Sequence, residues 1–189
     1  MCPGEASVQY ALALEVPEQV AAAIQPLRER YAHGPLLPPH LTLLYPFVLL
    51  APERQVTELI AHALAETPAI TASLGEVRRF DASHTVYIEV EDGGAAARLF
   101  QALLAGLSGM IGSDRAEYAR FARDGYLPHL TITDEVPTAT YRRAWGLLSG
   151  RSFAGASFSL EAAVLYRLDG HDWHPVARFP LGTAPSAGR

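Results

Sequence analysis

Lysine is absent from this chain: all 15 of its basic residues are arginine. That absence has chemical reach. A nucleotidyl-lysine ligase, a P-loop phosphate site and a Schiff-base enzyme each depend on a lysine amine, so all three are excluded. Cysteine is almost as scarce, with Cys2 alone in 189 residues. One thiol makes neither an intramolecular disulfide nor a cysteine-based zinc site. Long hydrophobic runs are missing too. Although 49% of the residues are apolar, no uninterrupted stretch approaches the ~20 residues that a membrane-spanning helix requires. The opening Met1-Cys2-Pro3-Gly4-Glu5 lacks the basic-then-apolar pattern of a secretory leader, so cytoplasmic residence is the expectation. Positive charge in excess is lacking as well. The formal net charge of −5 argues against a broad, non-specific grip on long nucleic acid.

What the chain does have is a repeat. Pro39-His40-Leu41-Thr42 and Pro128-His129-Leu130-Thr131 follow one pattern, Pro-His-x-Thr, with the two histidines 89 residues apart. A composition of 14 Pro, 7 His and 10 Thr predicts roughly 0.03 such tetrapeptides per chain by chance. Side chains alternate along a strand, so His40 and Thr42 share one face while Leu41 and Leu43 point into a core. His129 and Thr131 do the same, backed by Leu130 and Ile132. Proline is tolerated at the first residue of a strand, which puts each histidine where its strand begins. Two imidazoles and two hydroxyls set in this way suit a phosphodiester. One imidazole acts as base and the other as acid near neutrality. The threonine hydroxyls donate hydrogen bonds to non-bridging phosphoryl oxygens.

On these motifs the chain resembles the two-histidine (2H) phosphoesterase superfamily, which includes the LigT-like "2′-5′ RNA ligase" proteins. The run His40-Leu41-Thr42-Leu43-Leu44-Tyr45-Pro46-Phe47 is similar to the signature of one LigT-like branch. Phe80 followed by Thr85-Val86-Tyr87-Ile88, and Tyr126 ahead of the second motif, fit places in the same pattern. The resemblance spans about residues 8 to 180. It implies an α+β, bilobal fold in which two pseudo-symmetric antiparallel sheets with flanking helices face a central cleft. It also implies a metal-independent cyclic phosphodiesterase with His40, Thr42, His129 and Thr131 as the catalytic quartet. The missing lysine means that "ligase" here cannot denote an ATP-dependent ligase. One departure stands out: a basic residue common a few positions after the second motif is replaced by Thr133-Asp134-Glu135.

The rest of the chain reads as alternating helices and strands. Strands are expected at about 8–16, 69–79, 84–91, 128–134, 157–168 and 173–181. Pro17, Pro52 and Pro137 each open a helix, and a further helix runs from about Gly94 to Leu107. The first helix carries Val20, Ile24, Leu27 and Tyr31 on one face. Residues 108–127 are polar and read as a partly helical or mobile flap, with Arg120 and Arg123 in reach of a phosphate. Asp169-Gly170-His171-Asp172 reads as a hairpin turn. The expectation is a single domain over 1–182 with a disordered tail at 183–189.

Three residues are candidate substrate contacts: Tyr126, Arg123 and Thr133, the last by alternation from Thr131. Tyr45 and Phe47 fall on the core face, and His84, with no threonine two positions on, reads as structural. No cluster with metal-ligand spacing emerges, so no metal or other cofactor is expected. The reading is therefore a monomeric hydrolase of 2′,3′-cyclic phosphates on nucleotides or RNA 3′-ends, with no membrane partner. Two other readings use the same cleft: a non-catalytic RNA-end or nucleotide binder, and a 2′-5′ oligonucleotide phosphodiesterase.

Overall fold

The computed structural model describes residues 8–31, 37–112, 125–155, 157–170 and 172–182. The expected flap with Arg120 and Arg123, the 183–189 tail and the Tyr45 side chain lie outside the described residues. Among the described residues, nine strands and four helices follow one another in the order β1 (Gln9–Glu15), α1 (Glu18–Tyr31), β2 (His40–Leu49), α2 (Glu53–Ala65), β3 (Ile70–Phe80), β4 (Thr85–Glu91), α3 (Ala95–Gly106), β5 (Ile111–Gly112), β6 (His129–Thr133), α4 (Thr138–Leu148), β7 (Phe158–Leu160), β8 (Ala162–Asp169) and β9 (Asp172–Pro180). The fold is α+β, as the sequence implied. No helix among the described residues is long and apolar enough to cross a membrane.

Every strand pairing is antiparallel. The order is β7-β3-β4-β6-β2-β1-β8-β9, with β5 beside β2. The two motif strands are thus central neighbours, each flanked outward by three more strands. The two motif strands pair with each other at one register position, Leu41↔Leu130. Both leucines are buried in the main core, and their alternation turns the histidines to the opposite face.

Helices cover the core side. Ile24 and Tyr31 on α1, Val56, Ile60 and Leu64 on α2, Ala96, Leu99, Phe100 and Leu103 on α3, and Tyr141, Ala144 and Leu148 on α4 are all buried at helical spacing. Pro52 and Pro137 stand immediately before α2 and α4. The Asp92 carboxylate caps α3, accepting from the backbone N–H of Gly94 at 2.8 Å and of Ala96 at 2.7 Å. Strand β2 carries two register shifts against β1, and Pro46 sits in the bulged stretch between the pairs Leu12↔Leu44 and Tyr10↔Phe47. A bulge tolerates the missing proline donor.

One expected strand is in fact two. Residues 157–168 break at Glu161, so that β7 joins β3 in one half while β8 joins β1 in the other. The carbonyl freed at the break is not wasted: Glu161 accepts from Leu181 N–H at 2.8 Å. Polarity alternates only as far as Glu161 and then gives way to the apolar run Ala162–Tyr166, but no glycine or proline marks the change of partner.

Candidate active site

Each histidine is fixed by the same local device. The His40 Nδ1–H donates to the Pro38 carbonyl at 2.7 Å, and the His129 Nδ1–H donates to the Leu127 carbonyl at 2.7 Å. A carbonyl can only accept, so the proton sits on Nδ1 and Nε2 is left as the working nitrogen in both rings. The motif prolines explain the repeat of this geometry. Pro39 and Pro128 restrict the residue before them to extended conformations, which holds the carbonyl two positions upstream of each imidazole. In β2 the Thr42 hydroxyl lies 3.2 Å from His40 Nε2 and donates to it. Among the described residues, no corresponding bond joins Thr131 to His129.

The register pair Leu41↔Leu130 carries His40 towards Thr131 and Thr42 towards His129 on one sheet face. Alternation on either side of that pair sets the four side chains on the same face, and the charge of His129 is felt at His40. The duplication extends outward. Glu15 on β1 lies opposite His40, and Glu89 on β4 lies opposite His129. Glu15 pairs with Arg178 at 2.7 Å and Glu89 with Arg78 at 3.1 Å. Beside the threonines the halves differ: Ala13 opposes Thr42, whereas Tyr87 opposes Thr131. Phe80 stacks on Tyr87 at 4.3 Å, and the two rings lie 5.4 Å and 5.1 Å from the His129 ring. Among the described residues, His129 therefore has an aromatic wall and His40 has none.

The electrostatics differ in the same sense. Both imidazoles are half-buried, reaching solvent from densely surrounded positions. Burial lowers His40 to about 4; the Pro38 carbonyl opposes that shift, and the charges of Arg28 and His129 reinforce it. Burial also lowers His129, but there the Leu127 carbonyl and the Asp134 carboxylate pull the other way. Asp134 is itself held, accepting from the Thr85 hydroxyl at 3.0 Å. The acidic residue that departs from the resembled pattern thus favours a proton on His129.

The remaining sequence candidates fare differently. Arg123 lies outside the described residues. Tyr126 is half-buried, its ring stacked on core Phe100 at 4.8 Å and its hydroxyl donating to the Thr42 carbonyl. That hydroxyl ties the approach to the second motif to the first motif strand and is not free for a ligand. Thr133 corrects the alternation argument. An extra residue in β6, between the pairs Val86↔Thr133 and Tyr87↔Thr131, breaks the period of two and turns Thr133 away from the quartet. Its buried hydroxyl accepts from Val86 N–H at 2.9 Å and donates to the His84 carbonyl at 3.2 Å. We expect Thr133→Val to lower unfolding free energy by about 1–3 kcal/mol, because two buried backbone groups lose their partner; urea denaturation measures it. His84 is structural, with φ 51°, its ring stacked on Tyr141 at 5.0 Å and Nδ1 bonded to the Val136 carbonyl at 3.2 Å.

Sequence reasoning missed Arg28, which is only 4% exposed on the inward face of α1. A signal was present, since Arg28 falls four residues after Ile24 and three before Tyr31, on the predicted apolar stripe. It also missed Glu15 and Glu89, whose alignment with the histidines depends on register.

Comparison with known proteins places this geometry. The profile of the 2′-5′ RNA ligase superfamily matches residues 16–172. The chain belongs to that superfamily. A Geobacillus sp. (strain WCH70) protein named "Putative phosphoesterase" is 27% identical over 180 residues, covering 93% of this chain and 97% of its own. Solved structures of Escherichia coli LigT share the fold. LigT complexed with 3′-AMP superposes with a TM-score of 0.61 at 17% identity, covering 93% of this chain and 99% of LigT. LigT complexed with ATP gives 0.64 at 16% identity with the same coverage. Within the superfamily, the fold class and the phosphoesterase relationship both agree with the sequence reading.

Proposed function

We propose that this superfamily member is a metal-independent phosphodiesterase that opens 2′,3′-cyclic phosphates of nucleotides or RNA 3′-ends. The observation that carries the reading is the placement of His40, Thr42, His129 and Thr131 on one sheet face where the motif strands meet, with each Nδ1 tied to a carbonyl so that Nε2 is the nitrogen left to exchange protons. His40, kept neutral by burial and by a nearby arginine, takes a proton from water through Nε2 as the oxygen attacks phosphorus. His129, with Asp134 favouring its charged form, gives its Nε2 proton to the departing ribose oxygen. One P–O bond forms, one breaks, and the product is a phosphate monoester beside a free ribose hydroxyl. Thr42 and Thr131 donate to the non-bridging oxygens. No lysine is needed at any step. Nucleotide-sized substrates agree with the net charge of −5 and with the 3′-AMP and ATP complexes of LigT.

The deciding experiment is product analysis on a panel of 2′,3′-cyclic mononucleotides, cyclic-ended oligonucleotides and 2′-5′-linked dinucleotides. The expected result is turnover of the cyclic substrates, unchanged by excess EDTA. Cleavage of the 2′-5′ dinucleotides alone would assign the alternative substrate, and tight binding of all substrates without turnover would assign a binder.

The pH dependence follows from the two shifts. The base must be neutral, a condition met by His40 above about 4. The acid must be protonated, and its lowered pKa means that the active fraction declines as pH rises. The profile of kcat/KM against pH, which reports the free enzyme, is therefore expected to be a bell with its maximum below 6.5. Its two limbs belong to the coupled pair rather than to either ring. A maximum above pH 7.5 would refute the assignment of roles.

A further inference from the structure

The most anomalous charge in the molecule is Arg28. It is 96% buried, and its Nη1 has no hydrogen-bond partner. No ion pair with Arg28 occurs among the described residues. A buried guanidinium without a counter-charge costs several kcal/mol in desolvation, so proteins seldom keep one without a compensating anion. Among the described residues no carboxylate supplies it. Glu15 and Glu89, which flank the two histidines, are already paired with Arg178 and Arg78. The Gln25 side-chain oxygen, one turn earlier on α1, is the other buried atom without a partner, and an amide cannot neutralise a charge.

The location gives the charge a use. Strand β2 begins at His40 and meets β6 only at Leu41↔Leu130, so beyond that pair β6 runs on without a β2 partner. Helix α1 packs against β6, with Arg28 on its inward face. The charge is also felt at the first motif histidine, whose protonation it opposes.

We propose that Arg28 is a phosphate-binding residue of this site: its guanidinium, buried beside the β2–β6 seam with no ion pair among the described residues, pairs with the phosphoryl oxygens of a substrate placed between His40 and His129. The inference rests on the reading of the site as a phosphodiesterase and adds to it the group that neutralises the bound anion. Arginine suits the task because its planar fork engages two phosphoryl oxygens at once and stays charged when desolvated. Filling the site converts a costly isolated cation into a paired one.

The test is calorimetric titration of the full chain with inorganic phosphate, alongside steady-state kinetics on a 2′,3′-cyclic mononucleotide. Arg28→Met is expected to weaken phosphate binding and raise KM by about ten- to a hundred-fold, the worth of a charge-assisted hydrogen bond. The ligand-free variant should unfold at a temperature no lower than the parent, because an apolar side chain replaces an isolated buried charge. A merely structural arginine predicts the reverse: lower thermal stability with phosphate affinity unchanged. If Arg28→Met does not fold, Arg28→Gln replaces it under the same criteria. Unchanged phosphate affinity in a folded neutral variant, or no phosphate binding by the parent, overturns the proposal. Turnover by the parent with an unaltered KM in the variant removes Arg28 but keeps the phosphodiesterase. Loss of phosphate binding in the variant, with no turnover by the parent, does the opposite.

Discussion

His40→Ala and His129→Ala each lower kcat by about two to four orders of magnitude, the usual worth of a positioned acid or base. The expectation follows from the way both rings are held. Because Nδ1 is committed to the Pro38 or Leu127 carbonyl, Nε2 is the ring nitrogen that can exchange a proton with substrate. Both rings are half-buried, so their removal leaves room for water and does not open a core cavity. Folding should persist, which circular dichroism can verify before kinetics are compared. The effects of the two substitutions should not multiply, since acid and base act in one transition state. Single-turnover measurement of cyclic-phosphate opening is the check. Wild-type turnover in either variant would end the two-histidine mechanism.

Thr42→Ala and Thr131→Ala are expected to reduce kcat by about ten- to a thousand-fold, as loss of one donor to a developing phosphoryl charge does. The two should differ. The Thr42 hydroxyl is bonded to His40 Nε2 at 3.2 Å, so it orients the ring before substrate binds and turns its one proton to the phosphate afterwards. Thr131 has Tyr87 opposite it and acts on the phosphate alone. The larger loss is therefore expected at Thr42. Thr42→Ser should restore most of it because the hydroxyl returns. A serine variant as impaired as the alanine one would show that the methyl packing matters more than the donor. Measuring kcat and KM separately distinguishes a contact made in the transition state, which moves kcat, from uniform binding, which moves KM.

Much of this architecture was legible in the chain itself. Periods of 3.6 and 2 gave the four helices and most of the strands, because burial of one face imposes those spacings locally. Pro17, Pro52 and Pro137 marked helix starts for a reason internal to the residue, its fixed φ and missing N–H. The duplicated Pro-His-x-Thr placed four polar side chains on two strand faces and pointed to the superfamily. That much needs no knowledge of what lies across the sheet.

Tertiary structure decided the rest. Glu161 divides one strand-like run between two halves of the molecule, with β7 paired to β3 and β8 to β1, and no turn residue in the sequence marks the division. The extra residue in β6 turns Thr133 from the quartet into a buried backbone partner; a bulge is visible only against the opposing strand. The burial of the Arg28 charge is set by the packing of α1, and the pairing of Glu15 and Glu89 with the histidines exists only through register. The unequal surroundings of His40 and His129 arise in the same way. Two identical tetrapeptides acquire different proton affinities because burial, Arg28 and Asp134 are set by the fold around them. Residue type and spacing are properties of the chain, whereas desolvation and register belong to the packed molecule.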